Sequence, residues 1–317
     1  METSMSRKLF ALSLTATLMG GAAYAETPQV AVDIAPVHSL VARVMDGIGK
    51  PDLIIQPGAS PHEYSLRPSE ASALQAADLV FWIGPDLTPW LTDTIGTLAS
   101  DAVVTELMEA DGTIELEFRE GALFEAHDHG DDDDHDEAES GHEGHDHGAH
   151  DPHAWLSPKN AMNWLNVIAG QLSAVDPDNA GAYFANAAAG RTEIKTLIGE
   201  VTATLDPVRG GQFIVFHDAY QYFEMDFDFP ASGAISISDA SDPSPARIAK
   251  IQARIAEQGI DCVLAEPQFN PGLVATVLDG TDAQTGILDP LGSDLELGPA
   301  FYPHLIRNLS NVLADCM

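Results

Sequence analysis

The sequence of 317 residues is poor in basic residues and in cysteine. Fourteen Lys and Arg stand against 49 Asp and Glu, which gives a formal net charge of −35. A surface of that sign repels nucleic acid and anionic lipid and attracts cations, so nucleic acid is excluded as a partner. The two cysteines, Cys262 and Cys316, form no local Cys-x-x-Cys pair. A zinc–thiolate site is therefore disfavoured.

The chain also lacks a long apolar run near its N-terminus. The run Leu9–Met19 has about 11 residues, whereas a membrane-spanning helix needs roughly 20. It follows the basic pair Arg7 and Lys8 and precedes an Ala-Tyr-Ala sequence that ends at Ala25. This pattern is typical of a signal peptide with a small-x-small cleavage site. We predict that residues 1–25 are removed and that the mature protein is soluble in the periplasm; an uncleaved anchor is the alternative.

In an exported protein, a single pair of cysteines is typical of a disulfide. A bond between Cys262 and Cys316 would close a loop of about 55 residues, which is worth about 4 kcal/mol in the chain-entropy model. Two free thiols and a metal-binding cysteine pair are alternatives that the sequence leaves open.

Short apolar runs alternate with stretches of helical periodicity in both halves of the chain. The predicted buried strands are Val30–Ile34, Leu53–Ile55, Asp78–Ile83, Ala102–Leu107, Gln212–Phe216, Gly233–Ile237, Ile260–Ala265 and Gly286–Leu288. This alternation predicts right-handed crossovers and mainly parallel sheets with helices on both faces. We therefore expect an α/β fold with two lobes, over residues 26–175 and 207–317.

One long helix is predicted between the two lobes, over residues 176–206. An apolar stripe runs from Ala180 to Leu205 and ends before Pro207. A helix of this length, roughly 43 Å, would link the lobes as a strut. The alternative is two shorter helices that are broken near Gly190.

The segment 126–150 interrupts the first lobe and contains almost no apolar residue. It holds four consecutive Asp and seven histidines: His127, His129, His135, His142, His145, His147 and His150. A segment of this composition buries too little apolar surface to offset the entropy of ordering, which predicts a disordered loop. Histidine-rich tracts bind metal ions. We expect weak metal binding here, with a merely solubilising insertion as the alternative.

Several side chains that can bind metal directly follow predicted strands. His217, Glu266 and Asp289 each come immediately after a strand of the second lobe, and His62 follows a strand of the first. In open α/β sheets, ligands bind beyond the carboxyl ends of the strands, so a site between the lobes can collect these groups. His153, which lies just after the acidic segment, can join them.

Neutral imidazoles suit Zn²⁺, and a carboxylate or a water molecule can complete its tetrahedron. A single histidine is more often structural than functional, and it is the shared position at strand ends that favours a site. His38 and His304 lack this support because both fit helical stretches. We predict structural roles for these two residues.

Five stretches of the chain resemble hallmark motifs of the periplasmic zinc-binding proteins of ABC zinc importers, the ZnuA type. They are Ser60-Pro61-His62-Glu63-Tyr64-Ser65-Leu66-Arg67-Pro68-Ser69, His153-Ala154-Trp155-Leu156-Ser157-Pro158, Phe216-His217-Asp218-Ala219-Tyr220, Ala265-Glu266-Pro267-Gln268-Phe269 and Leu288-Asp289-Pro290-Leu291-Gly292. A histidine-rich loop before the second motif is also typical of the family.

The resemblance implies two α/β lobes that are joined by one long helix, with the metal between them. It implies that His62, His153 and His217 bind Zn²⁺, which a monomeric, non-enzymatic protein then delivers to an ABC permease in the inner membrane. Manganese-binding relatives tend to have a carboxylate at the third ligand position, so the histidine here favours zinc. The pairing of Cys262 with Cys316 is also similar to that of zinc-binding members.

The fourth zinc ligand is open, because Pro61 stands where some members carry an acidic residue beside the first histidine. We expect Asp289 in that place, water as the second choice, and Glu63 or a loop residue as the third. A manganese or iron importer subunit is one alternative function. A hydrolytic enzyme with three histidines on zinc is another, although no clear general base is present. An adhesin or storage protein is a third.

Overall fold

The computed structural model describes residues 27–119, 124, 150–236 and 243–317. The predicted signal peptide, and all of the loop histidines except His150, lie outside the described residues. In the described part, two α/β lobes are joined by one long helix. The predicted fold class is confirmed.

The N-terminal lobe is built on a four-stranded parallel sheet. Its elements are β1 (Val30–Val32), α1 (Ala35–Val44), β2 (Asp52–Leu53), α2 (Pro68–Ala76), β3 (Leu79–Trp82), α3 (Pro89–Leu98) and β4 (Val103–Glu106). The strand order is β2-β1-β3-β4, and every pairing is parallel. Strands β1 and β3 are buried over their whole length. That burial explains why both appear in the sequence as continuous apolar runs.

The C-terminal lobe repeats the same arrangement. Its elements are β5 (Phe213–His217), α6 (Gln221–Phe227), β6 (Ala234–Ser236), α7 (Pro245–Gln258), β7 (Cys262–Ala265), α8 (Pro271–Leu278), β8 (Gln284–Ile287) and α9 (Phe301–Cys316). The strand order is β6-β5-β7-β8, again with parallel pairings. In both sheets, the loops that follow the carboxyl ends of the strands are where a ligand is expected to bind.

Helices α4 (Pro158–Val175) and α5 (Ala180–Leu205) lie between the lobes. Helix α4 begins at Pro158, where the side chain of Ser157 accepts a hydrogen bond from the backbone N–H of Asn160. Helix α5 runs through Gly190 without a break, so the one long helix is confirmed. It begins at Ala180 because a 3₁₀ turn, Pro177–Asn179, precedes it.

A continuous apolar core joins the two lobes and α5. It includes residues of β1, β3, α4, α5, β5 and α9, and a second, smaller apolar cluster lies within the C-terminal lobe. The predicted disulfide is present between Cys262 and Cys316, whose Cα atoms are 5.8 Å apart. It ties the start of β7 to the end of α9. None of the helices in the described part of the chain is both long and apolar enough to cross a membrane.

Candidate metal centre

A small cavity lies where the loops of the two lobes meet. His62, His153 and His217 line it, together with Trp155, Glu266 and Gln268. It offers about 20 Å³ to the centre of a water-sized sphere, and a single water needs about 10–15 Å³ on that measure. A space of this size accommodates a metal ion or a water molecule.

The imidazoles of His153 and His217 face each other across this cavity. Both residues are only 5% exposed, and their Nε2 atoms are 3.4 Å apart. Two nitrogens bound to one tetrahedral zinc at 2.0–2.1 Å are separated by about 3.3–3.4 Å. Two facing Nε2 atoms at this distance match the spacing that a shared metal ion requires.

The ring of His153 is held by Asp151. Asp151 Oδ1 accepts the backbone N–H of His153 at 3.0 Å, and the same oxygen lies 2.7 Å from Nδ1 of the ring. Because this oxygen acts as an acceptor, Nδ1 donates, and Nε2 on the other side of the ring faces Nε2 of His217. Burial raises the pKa of Asp151 to about 7, against the lowering effect of that backbone hydrogen bond and of the Arg119 charge.

His217 is oriented in the same way by Glu266. His217 is the last residue of β5, and Glu266 directly follows the neighbouring strand β7. Glu266 Oε1 lies 2.8 Å from Nδ1 of His217 and also accepts its backbone N–H at 3.3 Å. Burial raises the pKa of Glu266, and the charge and hydrogen bonds of His217 oppose that rise. The pairing of adjacent strands thus fixes the ring.

His62 approaches the cavity from the N-terminal lobe, on the irregular segment between β2 and α2. Its ring centroid is 5.6 Å from that of His153, close to the 5.2 Å between His153 and His217. The indole N–H of Trp90, on α3, donates to the carbonyl oxygen of Pro61 at 2.9 Å and holds this segment in place. The structure therefore brings together the three histidines that the sequence predicts.

Asp289, the fourth predicted ligand, does not line this cavity. Its Oδ1 accepts from Gln268 Nε2 and from the backbone N–H of Leu291, both at 3.0 Å. Its Oδ2 accepts from the backbone N–H and the hydroxyl of Ser293, both at 2.6 Å. The carboxylate thus accepts four hydrogen bonds, three from its own turn and one from Gln268.

The other candidate ligands also lie away from the cavity. Glu63 is exposed, and His150, the one described residue of the seven loop histidines, lies 3.7 Å from the carboxylate of Glu115 through its Nε2. His38, on α1, is close to the carbonyl oxygen of Pro51, 3.1 Å from its Nε2. His304 lies on α9. Neither of these two helical histidines lines the cavity, as predicted.

Sequence reasoning missed Asp151, Gln268 and Arg119. Arg119 forms a salt bridge with Asp218, the residue after His217, and donates from Nη1 to Glu224 Oε2 at 2.7 Å. Burial raises the pKa of both carboxyl groups, and the guanidinium opposes that rise. Asp151 could have been suspected from its position two residues before His153, but nothing in the sequence places Arg119 beside Asp218.

The donor set suits a borderline cation that prefers nitrogen. Three imidazoles converge on the cavity, and the carboxylates behind two of them increase the basicity of the rings without occupying the cavity themselves. Such a donor set suits zinc once the three rings close on one ion.

Comparison with known proteins shows the family and the fold of the chain. The family model described as ZnuA, zinc-uptake complex component A periplasmic, matches residues 30–316. The high-affinity zinc uptake system protein ZnuA of Brucella abortus (strain 2308) is 46% identical and covers 97% of each chain. The protein of that name from Paracoccus denitrificans is 40% identical over 93% of each chain. A zinc-bound crystal structure of a ZnuA deletion mutant superposes with a TM-score of 0.74 at 22% identity, covering 92% of this chain and 98% of that one.

Proposed function

Because the chain belongs to the ZnuA family of periplasmic zinc-uptake components, we propose that it captures Zn²⁺ in the periplasm and delivers it to the membrane permease of an ABC importer. The observation that carries this proposal is the pair of Nε2 atoms, on His153 and His217, at the spacing of two ligands on one zinc ion. A binding protein of this family is not an enzyme.

The proposed ligands are His62, His153 and His217. No group of three or more His, Cys, Asp or Glu side chains among the described residues is already arranged to hold a metal ion by itself. The three histidines must therefore move slightly closer together to bind one zinc ion. His62 is the ligand best placed to make this movement, because it is half-buried on irregular backbone whereas the other two rings are each held by a buried carboxylate.

We propose a water molecule as the fourth ligand. Asp289 was the first choice on sequence grounds, but all the hydrogen bonds of its carboxylate are made within its own turn and to Gln268. Moving it to the metal would break those contacts. A water ligand leaves the full charge of the zinc ion in the site, which favours release over the tightest possible binding.

The test is the replacement of each ligand by alanine. We expect His62→Ala, His153→Ala and His217→Ala to weaken zinc binding by more than the 10–100-fold that is typical of losing a residue that only hydrogen-bonds to a metal ligand. Competition titration with a zinc chelator measures this effect, and His304→Ala, on the outer helix α9, is the control. A variant that keeps wild-type affinity would remove that histidine from the site. Parallel titration with Mn²⁺ tests the manganese alternative.

We also propose that the protein is exported and that it is a monomer in the periplasm. The segment 1–25 carries the pattern of a cleaved signal peptide, and we propose that the mature monomer begins at Glu26. N-terminal sequencing of the exported protein tests the cleavage site, and sedimentation with and without zinc tests the monomeric state. A mature chain that starts elsewhere, or a stable dimer, would contradict the corresponding part of the proposal.

We further propose that the histidine-rich segment binds additional zinc weakly, although its histidines up to His147 lie outside the described residues. The support is its composition, with carboxylates that concentrate cations and imidazoles that ligate them. Deleting residues 126–149 should leave one tight site, remove the weak ones and slow zinc uptake when zinc is scarce. Calorimetry that gives the same stoichiometry for both proteins would show that the segment is only a solvated insertion.

A further inference from the structure

Gln268 lines the metal cavity and has an acceptor atom with no use in the protein itself. It lies two residues after Glu266, on the segment that follows β7. Its Nε2 donates to Asp289 Oδ1 at 3.0 Å. Its Oε1 is buried and has no hydrogen-bond partner. A buried acceptor left unpaired is costly, so this oxygen is expected to have a partner when the site is in use.

Asp289 determines which end of the Gln268 amide faces the cavity. The same Oδ1 that meets Gln268 also accepts the backbone N–H of Leu291, so it acts as an acceptor on both sides. Only the NH₂ group of Gln268 can donate to it, and the carbonyl oxygen must therefore point the other way. The two amide ends, which are usually hard to tell apart, are distinguished here by the chemistry of the partner.

We propose that Gln268 Oε1 accepts a hydrogen bond from the water bound to zinc, and that Asp289 acts on the metal only through Gln268. This inference rests on the proposed zinc site and its water ligand. A metal-bound water is polarised and is a strong donor, which an amide oxygen can hold without adding negative charge to the site. Asp289 is thus a positioning residue, and its motif serves the metal without contacting it.

A double-mutant cycle on zinc affinity tests this coupling. Gln268→Leu removes the acceptor and should raise the zinc dissociation constant about 10–100-fold, the usual range when a hydrogen bond to a metal ligand is lost. Asp289→Asn lets the new amide donate to Gln268 Oε1 and so permits the wrong orientation. Asp289→Asn should weaken zinc binding as much as Gln268→Leu does when it is made in the wild type. When it is added to Gln268→Leu, it should weaken binding further by less than about threefold.

A second measurement distinguishes this role from a general effect on the fold. In the cobalt-substituted protein, the visible spectrum follows the loss of a proton from the bound water. An acceptor stabilises the neutral water, so its removal in Gln268→Leu should lower the pH midpoint of that change. Gln252→Leu is the matched control. Gln252, on α7, donates to the carbonyl oxygen of Thr276, on α8, and neither residue lines the cavity. This variant should leave both affinity and midpoint unchanged.

Three results would overturn the inference. One is wild-type affinity in Gln268→Leu, which would leave Glu266 as the acceptor for the water. Another is an equal loss from Asp289→Asn in both backgrounds, and a third is a zinc-bound structure with the Asp289 carboxylate about 2.1 Å from the metal. Failure of the zinc site itself would appear differently, as retained affinity in His153→Ala.

Discussion

Asp151 and Glu266 perform the same task for two different histidines. Each carboxylate oxygen contacts both the ring Nδ1 and the backbone N–H of its histidine. The ring plane and the tautomer are therefore fixed before any metal arrives, and little further ordering is needed on binding. The two carboxylates reach their histidines differently. Asp151 lies two residues before His153 in the sequence, whereas Glu266 follows the strand next to the one that ends at His217.

Removing the carboxylate behind His217 should weaken zinc binding. We expect Glu266→Met, which has no acceptor for Nδ1–H, to raise the zinc dissociation constant about 10–100-fold, and Glu266→Gln to raise it less because an amide oxygen can still accept. Chelator competition measures both variants. Glu193→Gln, which alters a surface ion pair with Arg43, is the control. Equal losses in the Met and Gln variants would show that charge, not the hydrogen bond, is what matters.

Asp33 should make stability depend on pH. It is fully buried after β1, and burial raises its pKa to about 7 although the backbone N–H groups of Ile83 and Ile34 oppose the rise. The folded protein therefore binds this proton more tightly than the unfolded chain does, and the group's contribution to stability is lost as the pH rises from about 4 through 7.

Urea unfolding at pH 5 and pH 8 checks the Asp33 prediction. The wild type should lose about 2–3 kcal/mol through this group over that range. Asp33→Asn, which cannot ionise, should lose correspondingly less unfolding free energy between these two pH values. The control Asp46→Asn, at an exposed position, should follow the wild-type profile. A parallel pH dependence in wild type and Asp33→Asn would contradict the assignment.

The residues that sequence reasoning located are those whose role follows from strand order. His217 lies at the end of a buried strand, and parallel sheets bring such ends together, so its position was predictable. Asp289 also follows a predicted strand, but its partners are set by the turn that carries Leu291 and Ser293. A turn's internal hydrogen bonds depend on backbone angles that residue order alone does not determine, and the cavity-facing role of Gln268 depends on that turn.

At the scale of elements, the strands were predicted better than the short helices. All eight predicted strands are present, within a few residues at each end. The sequence gives no comparable signal for the short helix α6. Helix α6 is short and rich in aromatic residues, of which Tyr222, Phe223 and Phe227 are buried. Tertiary burial rather than local propensity stabilises such a helix, so its sequence gives little warning.

Two glycines of α5 should respond differently to substitution. A Cβ at Gly190 would lie 3.0 Å from Leu165 Cδ1 and 3.1 Å from Arg43 Cγ, whereas Gly199 has nothing within 4 Å. We expect Gly199→Ala to stabilise the protein by about 0.5–1 kcal/mol through helix propensity. Gly190→Leu should destabilise it by about 1–3 kcal/mol through overpacking against α4 and α1. Thermal or urea unfolding measures both, and similar effects at the two positions would contradict the close packing.

At the scale of the whole molecule, the lobes are linked by more than the long helix. The indole N–H of Trp155 donates to the carbonyl oxygen of Pro290, and the Tyr302 hydroxyl donates to that of Trp155, each at 2.9 Å. Ser39, on α1, donates to the carbonyl oxygen of Gly298 at 2.8 Å. With the shared core and the Arg119 ion pairs, these contacts favour local adjustment at the cavity over a wide separation of the lobes.

The disulfide should stabilise the fold without taking part in zinc binding. Cys262 begins β7, whereas Glu266 follows the other end of that strand, about 13 Å away at the usual rise per residue. We expect the double variant Cys262→Ser with Cys316→Ser to lose about 2–5 kcal/mol of unfolding free energy, with zinc affinity within threefold of wild type. Wild type treated with reductant should behave alike. An unchanged melting temperature in both would show that α9 is held by packing alone.

The size of the cavity also governs how long a zinc ion stays. In the proposed site, an ion would have to shed most of its hydration shell to enter so small a space, and we expect the two rings that are each held by a carboxylate to move little. The side chain that can yield is His62, and Trp90 restrains its segment through the Pro61 carbonyl oxygen. We therefore expect the residence time of zinc to be set by the opening of this segment more than by the strength of the metal–nitrogen bonds. A permease that pulls the segment open would collect zinc faster than free diffusion releases it.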